Sequence, residues 1–271
     1  MNDLSKNKHI IDSLIMDIIK SIRVNQVNET LYEAIEYVMR SGGKRIRSLL
    51  LISIAENLNV NQNEALVCAV AIEMIHNYTL IHDDLPCMDD DNFRRGMPTC
   101  HKKFGEGIAV LAGNGLYTLS LQVLMNGLQG SKLVDVMSIF IDASGISGVL
   151  SGQANDIQLS DAQNIITCEN DMIEIIRFYY LKTGKLFETV FVIPGILAGM
   201  DENKKKILSE IGSIFGVLYQ LADDIADNEI KGGIILQELK ESLLIQFDQA
   251  IDLLQKSSLN FLKKLIRDIV E

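Results

Sequence analysis

The chain has 271 residues, of which 48% are hydrophobic and 23% charged, with a net charge of −11 and a pI near 4.9. This excludes nucleic acid as a general partner, because polyanions are bound through basic surface, while the apolar share is enough for a sizeable core. The four cysteines (Cys68, Cys87, Cys100, Cys168) form no C-x-x-C pair, so they point to reduced cytoplasmic thiols rather than a zinc site or disulfide framework.

Met1 to His9 is polar and carries no signal-peptide pattern. An amphipathic helix follows, with Ile10, Ile11, Leu14, Ile15, Ile18, Ile19 and Ile22 at i, i+3/i+4 spacing. Ser41-Gly42-Gly43-Lys44-Arg45-Ile46-Arg47 is a cationic segment whose glycines let backbone approach an anion. A helix starting after Gly43 carries Lys44 and Arg47 on one face. Ala65 to His82 and Gly107 to Leu128 read as helices apolar nearly all round, hence central. His76, inside the first, is by residue type alone more often a satisfied core histidine than a ligand. Lys182-Thr183-Gly184 is a further cationic point, and equally a pattern that caps a helix.

The longest apolar stretch, Thr189 to Met200, is too short to span a bilayer, so no membrane span is predicted. Leu259, Leu262, Leu265, Ile266 and Ile269 form a last helical stripe. Three prolines, no linker and no sustained period-2 alternation predict one all-α domain over residues 1–271.

Two aspartate clusters punctuate this pattern. The first runs Ile81-His82-Asp83-Asp84-Leu85-Pro86-Cys87-Met88-Asp89-Asp90-Asp91-Asn92-Phe93-Arg94-Arg95-Gly96, and the second Tyr219-Gln220-Leu221-Ala222-Asp223-Asp224-Ile225-Ala226-Asp227. Each follows an apolar helix, and Pro86 predicts that the first helix ends near Asp83 and Asp84. Asp223 and Asp227, four apart, share a helix face. Like charges this close repel unless a cation joins them. Oxygen ligands select hard ions, and Mg²⁺ pairs one or two carboxylates with substrate phosphates. Two such clusters facing each other would hold a diphosphate through several metal ions, with Arg94 and Arg95 as bidentate phosphate ligands.

The combination of GGKRIR, HDDLPCMDDDNFRRG, SGQANDI, KTGKLFE and YQLADDIAD resembles the trans-isoprenyl diphosphate synthases of the farnesyl/geranylgeranyl type, in order and over nearly the whole chain. The resemblance implies an all-α helical bundle with a central cavity, a homodimer, and three Mg²⁺ per active site. By it, Asp83, Asp84 and Asp89 bind Mg²⁺ at the allylic diphosphate, and Asp223, with Asp227, binds a further ion. Arg94 and Lys182 grip the allylic diphosphate. Lys44, Arg47, His76 and Arg95 bind isopentenyl diphosphate. Thr183 and Gln220 line the reaction centre, and Gln153 and Asp156 support it. The implied reaction joins isopentenyl diphosphate head-to-tail to dimethylallyl or geranyl diphosphate, with diphosphate as the base for the final proton. Tyr78, five positions before Asp83, and Thr79 would form the floor that sets product length. The bulky Tyr78 favours farnesyl diphosphate, with geranylgeranyl diphosphate as the alternative.

The chain departs from the family pattern in two places. Asn228-Glu229-Ile230-Lys231-Gly232-Gly233 leads almost directly into a helix, where the family pattern continues through a loop about 20 residues longer, of a length that is often functional. A missing loop after 227–231 keeps open a non-catalytic subunit of a heteromeric synthase, although both aspartate clusters are intact. Asn114 stands where the family usually has aspartate.

Overall fold

The side chains of Asn28 and Asn61 open two helices of the first half by accepting backbone N–H bonds, Asn28 from Leu31 at 3.1 Å and Asn61 from Asn63 at 2.9 Å. The computed structural model describes residues 2–23, 28–159, 169–226, 233–255 and 257–270. In chain order these hold α1 (Asn2–Ile22), α2 (Glu29–Arg40), α3 (Ile46–Asn57), α4 (Gln62–Asp83), a hairpin of β1 (Phe93–Arg94) and β2 (Met97–Pro98), α5 (Cys100–Phe104), α6 (Glu106–Gly127) and α7 (Gly130–Ser144). They continue with α8 (Val149–Leu159), α9 (Glu169–Tyr179), a π-helical segment (Tyr180–Gly184), α10 (Lys185–Leu197), α11 (Glu202–Ala226), α12 (Gly233–Leu253) and α13 (Phe261–Val270). The fold is all-α. The hairpin is the one strand pair among the described residues, and no hairpin dipeptide announced it.

The backbone divides into two compact units. Met1–Ser53 with Asn61–Leu133 forms the first, and Ile54–Val60 with Val134–Glu271 the second. In the first, Ile11, Ile15 and Ile19 are fully buried, so the predicted stripe of α1 narrows to one i, i+4 row. α4 packs mainly on α6. A Cβ at Gly113 would fall 2.2 Å from the His82 ring, so only glycine admits that close approach. The charged core of this unit is an ion pair. Arg45, at positive φ, donates to Glu73 at 3.1 Å, to Asp12 at 2.9 Å and to the Met39 carbonyl at 3.0 Å, with Arg45 and Glu73 both buried. α6 is less enclosed than its composition suggests, since Val110, Leu111 and Met125 are exposed.

In the second unit, Phe187, Phe191, Phe215 and Phe247 form the aromatic core, with ring centroids 5.1–6.1 Å apart. Leu259, Leu262 and Ile266 are fully buried, while Leu265 and Ile269 of the predicted stripe are half-buried. Gln62–Asp83, Glu106–Gly127 and Gly130–Gln158 are each longer than the Thr189–Met200 stretch, and by length and composition alone could cross a membrane. In the fold, 67% of the apolar window of Gln62–Asp83 is buried against other helices.

Candidate active site

The first aspartate cluster is a helix end that turns back on itself. α4 stops at Asp83 with Asp84 as its C-cap, where Pro86 predicts a stop. Asp84 N–H still donates to Leu80 O at 3.1 Å, and Asp89 N–H then donates to Asp83 O at 2.9 Å. That bond closes a loop and brings the backbones of Asp83 and Asp89 together across a six-residue step. Asp90 takes a positive φ of 52° to complete it. Asp83 is half-buried, and Asp89 and Asp90 are exposed. At a helix C-terminus, where the dipole disfavours anions, these carboxylates gain from a cation.

Asp84 is placed differently from its neighbours. It is buried, and its carboxylate accepts from Arg94 Nε, while Arg94 also donates to Asp91 at 2.9 Å. Burial raises the Asp84 carboxyl above its ordinary range, and the Arg94 charge and hydrogen bond oppose that rise. Arg94, predicted to grip a diphosphate, here bridges two aspartates of its own cluster. Arg95 and Gly96, both at positive φ, form the two-residue hairpin turn.

From that turn Arg95 reaches the glycine segment, donating to the Gly42 carbonyl, to Ser41 Oγ at 3.3 Å and to Asn77 Oδ1 at 3.2 Å. A Cβ on Gly43, whose φ is +129°, would lie 2.8 Å from Arg95 Cζ. Gly43 therefore makes room for a guanidinium, to which Gly42 offers its carbonyl. Arg47 Nη1 lies 3.3 Å from His76 Nε2, and Lys44, three residues earlier in the chain, is exposed. Burial, then the charges of Arg47 and Arg95, hold His76 well below the usual imidazole range, so it accepts the Arg47 proton as a neutral ring. The structure thus brings Arg47, His76 and Arg95 together at one place in the first unit. Arg45, between Lys44 and Arg47 in sequence, points into the core instead.

Tyr78 is buried, edge-on to Tyr117 and to His82 with ring centroids 5.4 Å away in both cases. Thr79 Oγ1 donates to His76 O at 2.8 Å. Asn114 is exposed on α6, next to the Gly113 contact.

In the second unit the helix runs unbroken from α9 through the π-helical segment into α10. Lys182-Thr183-Gly184 is therefore not a helix cap: Gly184 has φ −59°, and Lys185 N–H donates to Tyr180 O five residues back. A π turn of this kind displaces side chains from the α register and often marks a functional position. Two close approaches position it. A Cβ on Gly152 of α8 would lie 2.5 Å from Lys182 N, and one on Gly216 of α11 would lie 2.5 Å from Gly184 Cα. Gly212, Gly216, Gln220 and Asp224 follow at steps of four on one row of α11, Gly212 meeting Phe187 and Glu188 of α10 and Gly216 meeting Gly184 of the π segment.

Along that row Thr183 Oγ1 donates to Gln220 Oε1 at 2.6 Å, and Gln220 Nε2 donates to Asp224 Oδ1 at 2.7 Å. Tyr179 completes it with a hydrogen bond to Asp224 Oδ2. Burial raises the Asp224 carboxyl, while the Tyr179 and Gln220 bonds and the Lys182 charge oppose the rise. Asp223 is exposed beside it, and Asp227 lies outside the described residues, as do Cys168 and Asn228 to Gly232. Lys182 pairs with Asp156 of α8, and the buried Gln153 keeps an amide nitrogen without a hydrogen-bond partner. The roles of Tyr179, Asp224 and the Gly212/Gly216 row were missed in the sequence, although the row is visible there as a four-residue period.

The donors fit a hard cation held partly by others. Among the described residues no three His, Cys, Asp or Glu side chains are arranged to hold a metal ion. Asp83 and Asp89 in the first unit and Asp223 in the second offer carboxylate oxygens only. Such sets suit an ion that takes its remaining ligands from phosphate oxygens and water, as Mg²⁺ does.

Comparison with known proteins bears on this arrangement. The Polyprenyl synthetase family model matches residues 28–232. A farnesyl diphosphate synthase of Micrococcus luteus is 38% identical over 200 residues, 73% of this chain and 67% of that protein. A chloroplastic geranylgeranyl pyrophosphate synthase of Capsicum annuum is 36% identical over 201 residues, spanning 73% of this chain but only 53% of its own length. The crystal structure of an FPP/GFPP synthase from Zymomonas mobilis superposes with a TM-score of 0.86 at 30% identity, covering 100% of this chain and 98% of that one.

Proposed function

The chain belongs to the Polyprenyl synthetase family, and on that premise we propose that it is a metal-dependent prenyltransferase condensing isopentenyl diphosphate with dimethylallyl or geranyl diphosphate, giving mainly farnesyl diphosphate. The observation that carries the reading is the convergence of Arg47, neutral His76 and Arg95 beside the glycine segment, in the same unit as the Asp83–Asp89 loop. Such a pair of groups suits two diphosphates, one bound directly by cations and one through metal.

In this reading Asp83 and Asp89 hold Mg²⁺ in the first unit, and Asp223 holds it in the second. When bound, Mg²⁺ supplies charge neutralisation for the departing diphosphate. Arg94 and Lys182, now paired with Asp84 and Asp156, are the cations available to that leaving group, each exchanging a carboxylate for phosphate oxygens. Arg47, His76 and Arg95, with Lys44, hold the second diphosphate and so orient the attacking double bond. Thr183 and Gln220 line the reaction centre. Tyr78, wedged between Tyr117 and His82, supports a short product because its ring cannot swing aside without displacing a neighbour. The exposed apolar residues Val110, Leu111 and Met125 of α6 support a second copy of the chain as partner, and the unpaired Cys68, Cys87 and Cys100 support a cytoplasmic setting.

The test is product analysis of the purified chain with both substrates, with Mg²⁺ and with a chelator. A farnesyl product that disappears with chelator is expected, and Tyr78→Ala is expected to shift it to geranylgeranyl diphosphate. A geranylgeranyl product from the unaltered chain would keep the reaction and remove the role of Tyr78. No product from either primer would refute the proposal and leave the non-catalytic subunit.

A further inference from the structure

A chain of hydrogen bonds in the second unit ties a buried tyrosine to Thr183, and each of its directions follows from the one before. Asp224, as a carboxylate, can only accept, and it does so from Tyr179 on one oxygen and from Gln220 Nε2 on the other. An amide has one donor end and one acceptor end. With Nε2 committed to Asp224, Gln220 Oε1 must face Thr183, and the Thr183 hydroxyl must donate to it, at 2.6 Å. The Thr183 proton is thereby turned into the protein, and its oxygen keeps its lone pairs for whatever lies in front of it.

Tyr179 anchors this order. Its ring is 2% exposed and rests at a tilt on Phe178 with centroids 5.7 Å apart. The π turn that follows it keeps Tyr179 and Thr183 on the side of the helix that meets α11. Asp224 sits in the last described turn of α11, where backbone neighbours alone leave its carboxylate free to rotate. The tyrosine hydroxyl is the donor that fixes it from another helix.

We infer that Tyr179 is a positioning residue for prenyl transfer: through Asp224 and Gln220 it holds the Thr183 hydroxyl as a donor into the protein, so that the Thr183 oxygen presents lone pairs to the electron-poor allylic carbon. This rests on the proposed function. It also gives Asp224 a task separate from that of Asp223, which is exposed and uninvolved in the chain. An oxygen so oriented stabilises a developing allylic cation. One free to turn its proton outward opposes it.

The test has one arm without turnover and one with it. In ligand-free protein, the side-chain amide of Gln220, identified by its loss in Gln220→Glu, is followed by NMR hydrogen exchange. It should be protected in the wild type, and Tyr179→Phe, which removes only the hydroxyl, should lower that protection about tenfold. In steady-state assays Tyr179→Phe should lower kcat about tenfold, leaving KM for both diphosphates within about twofold. Combined with Thr183→Val it should cost less than the product of the two single effects, and combined with Thr183→Ser, which keeps a hydroxyl, its full effect. An unprotected Gln220 amide in the wild type would overturn the inference without any variant. Unchanged protection in Tyr179→Phe, or multiplicative losses with Thr183→Val, would overturn it as well. A wild type without turnover would refute the proposed function, and the amide exchange would then still decide whether Tyr179 holds Gln220.

Discussion

Gly216→Ala places a methyl group where the π segment leaves no space. The new Cβ would lie 2.5 Å from Gly184 Cα, 3.2 Å from Gly184 N and 3.1 Å from Phe187 Cβ. Two of these are backbone atoms, so no side chain can move aside to relieve the clash. Carbon atoms rest about 3.5–4.0 Å apart, so the two helices must part locally by about 1 Å. Thr183 precedes Gly184, and its 2.6 Å bond to Gln220 would stretch to about 3.6 Å, beyond hydrogen-bond range. Overpacking costs about 1–3 kcal/mol, and losing the hydrogen bond adds about 1 kcal/mol. Urea denaturation should therefore show a loss of about 2–4 kcal/mol, and turnover should fall with it because Thr183 and Gln220 no longer act as a unit. Gly107→Ala in α6, where a Cβ meets nothing within 4 Å, is the control and should leave stability unchanged or raise it by up to about 1 kcal/mol. A Gly216→Ala protein within about 0.5 kcal/mol of the wild type, with unchanged kcat, would refute the close approach as the device that positions Gln220.

Other perturbations follow from the same geometry. Glu73→Ala removes the buried carboxylate that faces Arg45, leaving the guanidinium only the part-exposed Asp12 as a charged partner, and should cost about 3 kcal/mol in urea denaturation, since breaking a buried ion pair is expensive. Gly43→Ala drives a methyl group into the Arg95 guanidinium and should raise KM for isopentenyl diphosphate about tenfold while changing kcat less. His76 has a folded pKa depressed well below its ordinary 6.5. The unfolded chain therefore takes up a proton first as pH falls, and the stability His76 contributes is complete above about 6.5 and declines below it, until the folded pKa is reached. His76→Gln should flatten that decline in denaturation midpoints measured between pH 7 and 5, and an unchanged slope would exclude His76 as its source.

Much of this architecture was legible in the sequence because it depends on neighbours along the chain. Pro86 marked the end of α4, and the isoleucine period marked the buried row of α1. The concentration of carboxylates after apolar helices singled out the end of α4, where Asp83 and Asp89 stand, and the last described turn of α11, which carries Asp223. These are local consequences of backbone sterics and helical repeat, and they survive in any fold that contains them.

What the sequence left open concerns partners distant along the chain. Nothing in Lys44-Arg45-Ile46-Arg47 distinguishes the cation that enters the core from those that stay near the surface; Glu73 and Asp12 make that selection once α1, α3 and α4 have packed. Nothing in Asp83-Asp84 says that one carboxylate stays at the loop while the other is taken by Arg94. The Lys182-Thr183-Gly184 pattern allowed a helix cap as readily as a π turn, until the glycines of α8 and α11 pressed against it from outside. Tyr179 reads as one more aromatic of a core helix until Asp224, 45 residues later, accepts its proton. Where a helix end is set within a few residues, as Pro86 sets that of α4, the sequence by itself determined it. Which charge meets which, and which hydroxyl points where, is a competition among long side chains settled by burial and distance, and only the tertiary structure decides it.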